Sequence, residues 1–283
     1  MRTLLEARSK VLIGVIHLAP LPGSPRWGGD LDAVVRSAVK DAQSYERGGA
    51  HALEIENYGD VPFTKGSVGP ETIAAMAVAG SAVRQAVRLP LGFNVLRNDA
   101  LAALALCAAC GGSFVRINIH TGAMLTDQGL IEGNAFETLR YRRQICPGAI
   151  IFTDIHVKHA VPLGNCSIGD SARDAVHRGL ADALIISGTS TGMAADAADL
   201  ERVRATCPDT KLFLGSGVTV ENLPNYSTLA DGFIVGSSLK IGGDISRPVD
   251  ARRVVALRRA IERGNARPGR SRRGEGGRDD HDS

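Results

Sequence analysis

The chain has few aromatic residues and no long apolar run. Phe, Trp and Tyr make up 4% of its 283 residues, so stacking of bases on aromatic side chains is not expected as a mode of binding. No apolar stretch approaches the roughly 18 residues that a membrane-spanning helix needs, and residues 1–10 lack the apolar segment of a secretory signal. We therefore expect a cytoplasmic protein with no stable membrane association.

The five cysteines are scattered and odd in number, which does not fit a disulfide framework. Cys107 and Cys110 have the spacing of a redox or zinc pair, but they lie in an Ala- and Leu-rich stretch where reduced cysteine packs as a small apolar residue. The net charge is +3, and a good share of the arginines lies after residue 262. Because no broad basic surface is interleaved with aromatics, nucleic-acid binding is not expected.

Short apolar runs alternate with longer amphipathic stretches along most of the chain. This alternation is typical of a parallel sheet with crossover helices. An open doubly wound sheet produces the same pattern, but eight strand–helix units without a second domain favour the (β/α)₈, or TIM, barrel of the α/β class. The eight predicted strands are residues 11–17, 51–57, 90–95, 113–120, 149–155, 181–187, 211–214 and 232–235.

Helices are predicted between the strands, except after the seventh strand, where the connection is short. Several of them stop at glycines, such as Gly48 and Gly49, which favour a left-handed helix end. After residue 262 almost no apolar residue follows, so that segment cannot offset its ordering entropy. We predict a barrel domain over residues 1–262 and a disordered tail over residues 263–283. The predicted helices are residues 31–47, 71–87, 100–110, 132–145, 171–180, 196–206 and 249–261.

Two Gly-Ser segments follow the last two predicted strands. Glycine lets backbone amides approach a phosphate, and serine hydroxyls add hydrogen-bond donors. Either segment alone fits an ordinary turn, but the loops after strands seven and eight of a TIM barrel frequently form a phosphate site. We therefore predict that a phosphorylated small-molecule substrate binds at Gly215, Ser216, Gly217, Gly236, Ser237 and Ser238.

A second group of polar residues closes the fifth predicted strand. If the extended run continues, strand alternation places Asp154, His156 and Lys158 on one side. A carboxylate beside a lysine and a histidine can perform acid–base chemistry, and a desolvated lysine can form a Schiff base. The alternative is an Asp–Lys pair that braces a loop. We predict Asp154 and Lys158 as catalytic residues and His156 as a substrate-binding residue.

The second predicted strand ends with Glu54, Glu56 and Asn57. Glu54 and Glu56 share one face, and a buried carboxylate needs a partner. His17, Asp154 or His120 can join them in a zinc site or a site for a harder divalent ion, but no ligand spacing requires one. The metal is therefore unknown and no cofactor is assigned. We predict Glu56 as a catalytic residue, with His17 and Asn57 binding substrate.

Arg116, Asn118 and His120 lie on one face of the fourth predicted strand. An inward arginine can clamp a second anionic group, although layered barrel interiors also hold polar residues that merely bond to one another. Asn94 and Ser187 close the third and sixth strands at the same end of the barrel. We predict Asn94, Arg116, Asn118 and Ser187 as substrate-binding residues.

Several distinctive segments in order resemble the BtpA family, over nearly everything from Val11 to about Ile261. They include IHLAPLPGSP, ENYGDVPF, GFNVLRND, TGAMLTDQGLIEG, SGTSTG, the segment from Asp154 to His159 and the two Gly-Ser loops. The resemblance implies a barrel of the ribulose-phosphate-binding type. It also implies two different functions, since members are linked to photosystem I biogenesis or stability, while relatives in organisms without photosynthesis look like metabolic enzymes and are sometimes labelled phosphoribosylanthranilate isomerases.

The sequence as a whole favours an isomerase or lyase that acts on a phosphorylated sugar or a related compound. The alternative is a noncatalytic factor for photosystem I biogenesis or stability. The two hypotheses differ in whether the barrel mouth is needed. The sequence does not decide the substrate, the metal requirement or the oligomeric state. A homo-oligomer is one of the open alternatives.

Overall fold

The computed structural model describes residues 4–7, 9–188 and 195–265. Eight parallel strands close into a barrel in chain order, and the first strand pairs with the last, Val11 lying opposite Gly232. The predicted TIM barrel is confirmed. Numbered together with three further strands, the barrel strands are β1 (Val11–His17), β2 (Ala52–Glu56), β3 (Leu91–Asn94), β4 (Phe114–Ile117), β7 (Ile150–Ile155), β9 (Ala183–Ser187), β10 (Lys211–Gly215) and β11 (Gly232–Val235).

Seven α-helices lie in the described chain, and each predicted helix is present. Side chains cap several of them as expected for Asp and Ser: Asp30 accepts from the Ala33 amide and Ser167 from the Asp170 amide. Only a 3₁₀ turn joins β10 to β11, as predicted. The helices are α1 (Leu31–Gly48), α2 (Pro70–Ala86), α3 (Ala100–Ala109), α4 (Ala135–Ile145), α5 (Ile168–His177), α6 (Ala197–Thr206) and α7 (Ala251–Asn265).

The end of α7 and the start of α4 differ from the prediction. The last helix reaches Asn265, three residues beyond the predicted barrel boundary, and the rest of the predicted tail lies outside the described residues. The fourth helix starts at Ala135, because Asn134 caps it by accepting from the Glu137 amide. No described helix is long and apolar enough to cross a membrane.

A small antiparallel sheet was not predicted. Its strands, β5 (Ala123–Thr126), β6 (Gly129–Glu132) and β8 (Ala160–Pro162), occur in the order β6-β5-β8. Two come from the loop after β4 and one from the loop after β7, so the sheet extends from the carboxyl end of the barrel. Met124 and Ile131 of this sheet pack with Ile119 and Val157 in a separate apolar cluster.

The barrel interior is layered. Phe114, Phe152 and Phe213 meet edge to face, with ring centroids 5.2 Å apart for the first pair and 4.9 Å apart for the second, a geometry that aromatic rings favour. They belong to an apolar interior cluster that also contains Ile13 and Ile185. Two residues further along β4 and β7 the interior becomes charged, and this polar layer opens at the carboxyl end.

Candidate active site at the carboxyl end of the barrel

Arg116 is the centre of the polar layer. Its Nε and Nη2 atoms donate to the two oxygens of Asp154, each at 2.8 Å. Its Nη1 atom donates to Glu54 at 3.1 Å and to Glu56 at 3.4 Å. The Asn118 amide adds a bond of 3.3 Å to Asp154, whose side chain has no exposed surface. Both Asp154 oxygens are therefore occupied.

The two glutamates of β2 differ in protonation. Burial raises the pKa of Glu54 to about 8, a rise that Arg116 opposes and Glu56 reinforces. Burial also opposes ionisation of Glu56, but Arg116 and Lys158 outweigh it and lower the pKa of Glu56. Near pH 7 Glu54 is thus largely protonated and Glu56 ionised. The environment separates two adjacent carboxyl groups into an acid and a base.

His17 lies beside Glu56, with 3.8 Å between its Nε2 atom and a carboxylate oxygen. Its ring makes an edge contact with Tyr58, with centroids 4.9 Å apart. Burial lowers the pKa of His17 to about 4, although Glu56 opposes the change. The ring is therefore neutral at pH 7 and can exchange a hydrogen bond rather than a charge.

A cavity of about 350 Å³ opens above the Arg116 cluster, and we call it the main cavity of the site; a cavity of about 590 Å³ lies elsewhere, beside Asn98 and Gly133. The main cavity brings together five predicted site residues, which lie at the end of β2, the end of β3, within and just after β4, and in the loop after β7. Burial lowers the pKa of Lys158, and Arg116 adds to that effect. The lining residues are Glu56, Tyr58, Val61, Phe63, Asn94, Leu96, Arg97, Arg116, Asn118, Asp127, Lys158 and His159.

A smaller cavity of about 30 Å³ lies between the two Gly-Ser loops. Ser216, Gly217, Gly236, Ser237 and Ser238 line it, together with four apolar residues and four polar or charged side chains. A Cβ atom on Gly236 would lie 2.3 Å from the His17 ring, so only glycine allows this close approach. The four polar or charged side chains are His17, Glu56, Arg116 and Lys158, and the last three also line the main cavity.

The backbone of these loops suits an anion. Gly217 has a φ of 68° and Ser216 a φ of 80°, so both lie in the left-handed region. Among the described residues, no backbone carbonyl accepts a hydrogen bond from the amides of Gly217, Ser237 or Ser238. The Ser238 hydroxyl instead donates to the Val218 carbonyl at 2.7 Å, so it joins the two loops. Gly215 is the remaining predicted residue, and a Cβ there would lie 3.6 Å from the Arg116 guanidinium.

The segment after β7 departs from strand geometry at His156, whose φ is 52°. Lys158 nevertheless reaches the main cavity, but His156 does not. Its Nε2 atom pairs with the Ser171 hydroxyl at 3.0 Å, and it lines a different cavity of about 90 Å³ beside Thr121 and Cys166. The simple alternation that placed Asp154, His156 and Lys158 together therefore fails, since Lys158 lines the main cavity while Asp154 and His156 line the cavity of about 90 Å³.

The predicted substrate-binding amides have different surroundings. Asn94 donates to Asn118 and to the Arg116 carbonyl, both at 2.9 Å, while its buried Oδ1 atom accepts no hydrogen bond from the described residues. Asn57 is used within the protein, since it accepts from the Leu96 amide at 2.7 Å and donates to Asp60 at 3.2 Å. It braces the loop after β3 rather than lining the main cavity.

Ser187 ends β9, and its hydroxyl is buried with no hydrogen-bond partner in the described chain. The segment SGTSTG, which begins there, continues into residues outside the described ranges. His120, a candidate metal ligand, pairs with the Gly179 carbonyl at 2.7 Å. Within residues 4–7, 9–188 and 195–265, no group of three or more His, Cys, Asp or Glu side chains is arranged to hold a metal ion.

Cys107 and Cys110 are both buried, and burial raises the pKa of Cys107 to about 12. This is the behaviour of a core cysteine and not of a reactive thiol.

Sequence reasoning missed Arg97, Tyr58, Asp127 and His159 in the wall of the main cavity. Arg97 follows β3 by three residues and lies inside the distinctive segment GFNVLRND. Tyr58 lies inside ENYGDVPF, one residue after the predicted site residues of that segment. The signal that points to both is a charged or aromatic residue shortly beyond a strand end, because barrel active sites are built from these loops.

Comparison with known proteins places the chain among relatives of the same length. It is 43% identical over 261 residues to the photosystem I biogenesis protein BtpA of Synechocystis, covering 92% of this chain and 91% of the relative. It is 44% identical over 253 residues to an uncharacterized protein of Pyrococcus furiosus, covering 89% and 95% of the two chains.

Solved structures support the fold at much lower identity. The phosphoribosyl anthranilate isomerase of Thermus thermophilus matches with a TM-score of 0.53 and 14% identity, over 89% of this chain and 98% of the enzyme. Such a likeness shows the barrel alone. The BtpA family model matches residues 8–263, nearly the whole described chain. The protein therefore belongs to the BtpA family.

Proposed function

We propose that this protein is an enzyme that acts on a small phosphorylated metabolite, of the sugar phosphate kind, as an isomerase or lyase. One observation carries the proposal. The cavity between the Gly-Ser loops shares Glu56, Arg116 and Lys158 with the main cavity. A phosphate held by the loops therefore leaves the rest of the molecule beside an ionised carboxylate and a lysine.

In this proposal Glu56 is the general base. It is ionised near pH 7, faces both cavities and can take a proton from a carbon next to a carbonyl group. Lys158 faces the same space and can stabilise the oxyanion that forms as the proton leaves. Schiff-base formation at Lys158 is the alternative, and borohydride reduction with substrate distinguishes the two, because only an imine is trapped.

The proposal gives Asp154 a positioning role instead of the catalytic role predicted from its place in the strand. Arg116 and Asn118 occupy both of its oxygens, and Asp154 does not line the main cavity. Asp154 fixes the guanidinium, which in turn helps to keep Glu56 ionised. Glu54, largely protonated, lies behind Glu56 and limits the negative charge of the cluster.

The name of the Synechocystis relative supports a second candidate, a factor for photosystem I biogenesis. However, the Pyrococcus furiosus relative is as similar, and its name assigns no photosystem role. The enzymatic candidate rests instead on the geometry of the two cavities. The test is complementation in a photosynthetic host that lacks its own copy of the gene. Full rescue by the Glu56→Gln, Lys158→Met double variant would favour the noncatalytic candidate.

Binding of phosphate is the first test. Inorganic phosphate and ribose 5-phosphate should raise the melting temperature, because a ligand that binds only the native state stabilises it by mass action. Ser237→Asp places a negative charge between the Gly-Ser loops and should remove most of the shift. Ser9→Asp, at an exposed position before β1, is the matched control. An equal shift in wild type and both variants would contradict the phosphate site.

A further inference from the structure

One cationic side chain of the main cavity forms no ion pair with any described residue. Arg97, in the loop after β3, is only 4% exposed. Its Nη2 atom donates to the Lys158 carbonyl at 2.6 Å, and its Nε atom is buried with no acceptor. In the part of the chain that the structure describes, no carboxylate oxygen lies within 4.0 Å of its guanidinium.

A buried charge without a counterion is costly, so buried arginines are normally paired. The carboxylates that act on Arg97 from a distance are Asp154, Asp127 and Glu56. Arg116 already pairs with Asp154 and Glu56, and Asp127 is exposed in the turn of the small sheet. A purely bracing arginine would use its remaining donors on protein acceptors. This pattern is expected of a site whose anion arrives with the ligand.

The position of Arg97 connects it to the phosphate loops. Arg97 and Lys158 line the main cavity, and Lys158 also lines the cavity between the loops. A ligand that starts at the loops and passes Glu56 and Lys158 therefore enters the space that Arg97 lines. The planar guanidinium can bind a carboxylate or a phosphate through two parallel hydrogen bonds.

We propose that the substrate carries a second anionic group, a carboxylate or a second phosphate, which binds Arg97 in the main cavity. This inference rests on the proposed function, because it takes the Gly-Ser loops as the site of the first phosphate. It narrows the substrate class to phosphorylated sugar acids, bisphosphates and similar compounds with two acidic ends.

Matched pairs of ligands test the inference on the wild-type protein. The pairs are 3-phosphoglycerate against glycerol 3-phosphate, 6-phosphogluconate against glucitol 6-phosphate, and fructose 1,6-bisphosphate against fructose 6-phosphate. Within each pair only the second acidic group differs. In at least one pair, calorimetric titration should give roughly tenfold to hundredfold tighter binding of the doubly acidic compound, the range of a charge-assisted hydrogen bond. The pair that responds distinguishes a carboxylate from a second phosphate.

Three variants connect the difference to Arg97. Arg97→Met should abolish the difference in affinity within a pair while leaving the binding of the singly acidic compound unchanged. Arg97→Lys, which keeps the charge, should retain part of that difference. Arg143→Met, at an exposed position on α4, should change neither. If the ligand-free melting temperature shows that Arg97→Met does not fold, the wild-type pairs and Arg97→Lys decide the question.

Two outcomes would overturn the inference, and they have different meanings. Equal affinity within all three pairs, with the singly acidic compounds binding normally, would refute the second anion site and leave the phosphate site intact. No binding of any of the six compounds would count against the proposed function itself.

Discussion

Two layers of the barrel interior are built on the same strands, two residues apart. In β4 Phe114 is followed by Arg116, and in β7 Phe152 is followed by Asp154. The first layer is apolar and closed by ring contacts, whereas the second is a network of ions that lines the cavities. The strands therefore supply rigidity from one layer and chemistry from the next.

The comparison shows how the ionic layer tolerates burial. Ions removed from water lose hydration free energy, and their mutual attraction must offset this loss. Here Arg116 faces Asp154, Glu54 and Glu56, and the raised pKa of Glu54 keeps one of the three carboxyl groups protonated. The apolar layer needs no such compensation. The effect of a substitution in the ionic layer on the free energy of unfolding should therefore depend on pH, while the effect of one in the apolar layer should not.

The largest expected effect is on catalysis. Glu56→Gln cannot accept a proton, so exchange of substrate carbon-bound hydrogen for deuterium should fall roughly a hundredfold to ten-thousandfold. The assay is proton NMR in D₂O with the phosphorylated ketose or aldose that stabilises the protein best. Phosphate affinity should change little. Glu201→Gln, on the exposed face of α6, is the control, and wild-type exchange in Glu56→Gln would move the base elsewhere.

Removal of the central cation should have the largest effect on stability. Arg116→Met leaves Asp154 and Glu56 buried without a counterion, at a cost of roughly 3–5 kcal/mol in the free energy of unfolding at pH 7. Burial raises the pKa of Glu56 and Arg116 lowers it, so without Arg116 the native state takes up a proton at Glu56 more readily and the loss should shrink as the pH falls to 5. Urea unfolding at both pH values measures it.

An exposed ion pair provides the contrast. Arg202→Met breaks a bridge to Asp199 in which the arginine side chain is 64% exposed, and the cost should stay below about 1 kcal/mol. Equal losses in Arg116→Met and Arg202→Met would mean that the buried network contributes no more than a surface pair.

A further effect should appear in the pH dependence of the free energy of unfolding. The folded pKa of Glu54, about 8, lies above its ordinary value of 4.5, so the native state holds a proton that the unfolded chain has lost. This contribution is fully present below pH 4.5 and is lost as the pH rises towards 8. Glu54→Gln should therefore weaken the decline in stability between pH 5 and pH 8 relative to wild type.

Phe152→Leu is the matched change in the apolar layer, and it should cost roughly 1–2 kcal/mol equally at pH 5 and pH 8. If Glu54→Gln and wild type show parallel pH profiles, Glu54 is already ionised in the native state, and the difference between the layers is smaller than the geometry indicates.

The barrel strands could be predicted because each is a compact apolar run. The prediction for β1 and for β11 matches the observed residues. The small antiparallel sheet could not be predicted, because Leu125 and Val161 are more than half exposed and its strands come from separate loops. Pairing between distant loops leaves no periodic signal in either segment.

The candidate site was partly predictable for a related reason. Alternation brings Glu54, Arg116 and Asp154 to the interior, but the stagger of the strands decides which side chains meet, and that is a property of the closed barrel. Alternation fails at His156, where the backbone turns to a positive φ. Arg97 lies beyond its strand, where the loop conformation and not strand geometry directs the side chain.

The close approach of Gly236 to His17 has a consequence for synthesis of the chain. His17 ends the first barrel strand, and Gly236 directly follows the last one. These two strands pair with each other. The cavity between the Gly-Ser loops therefore cannot form until nearly the whole barrel has been made and its two ends have met. Such a contact between distant parts of the sequence forms late and slowly. A phosphate ligand cannot guide the nascent chain; it can only stabilise the barrel once closed.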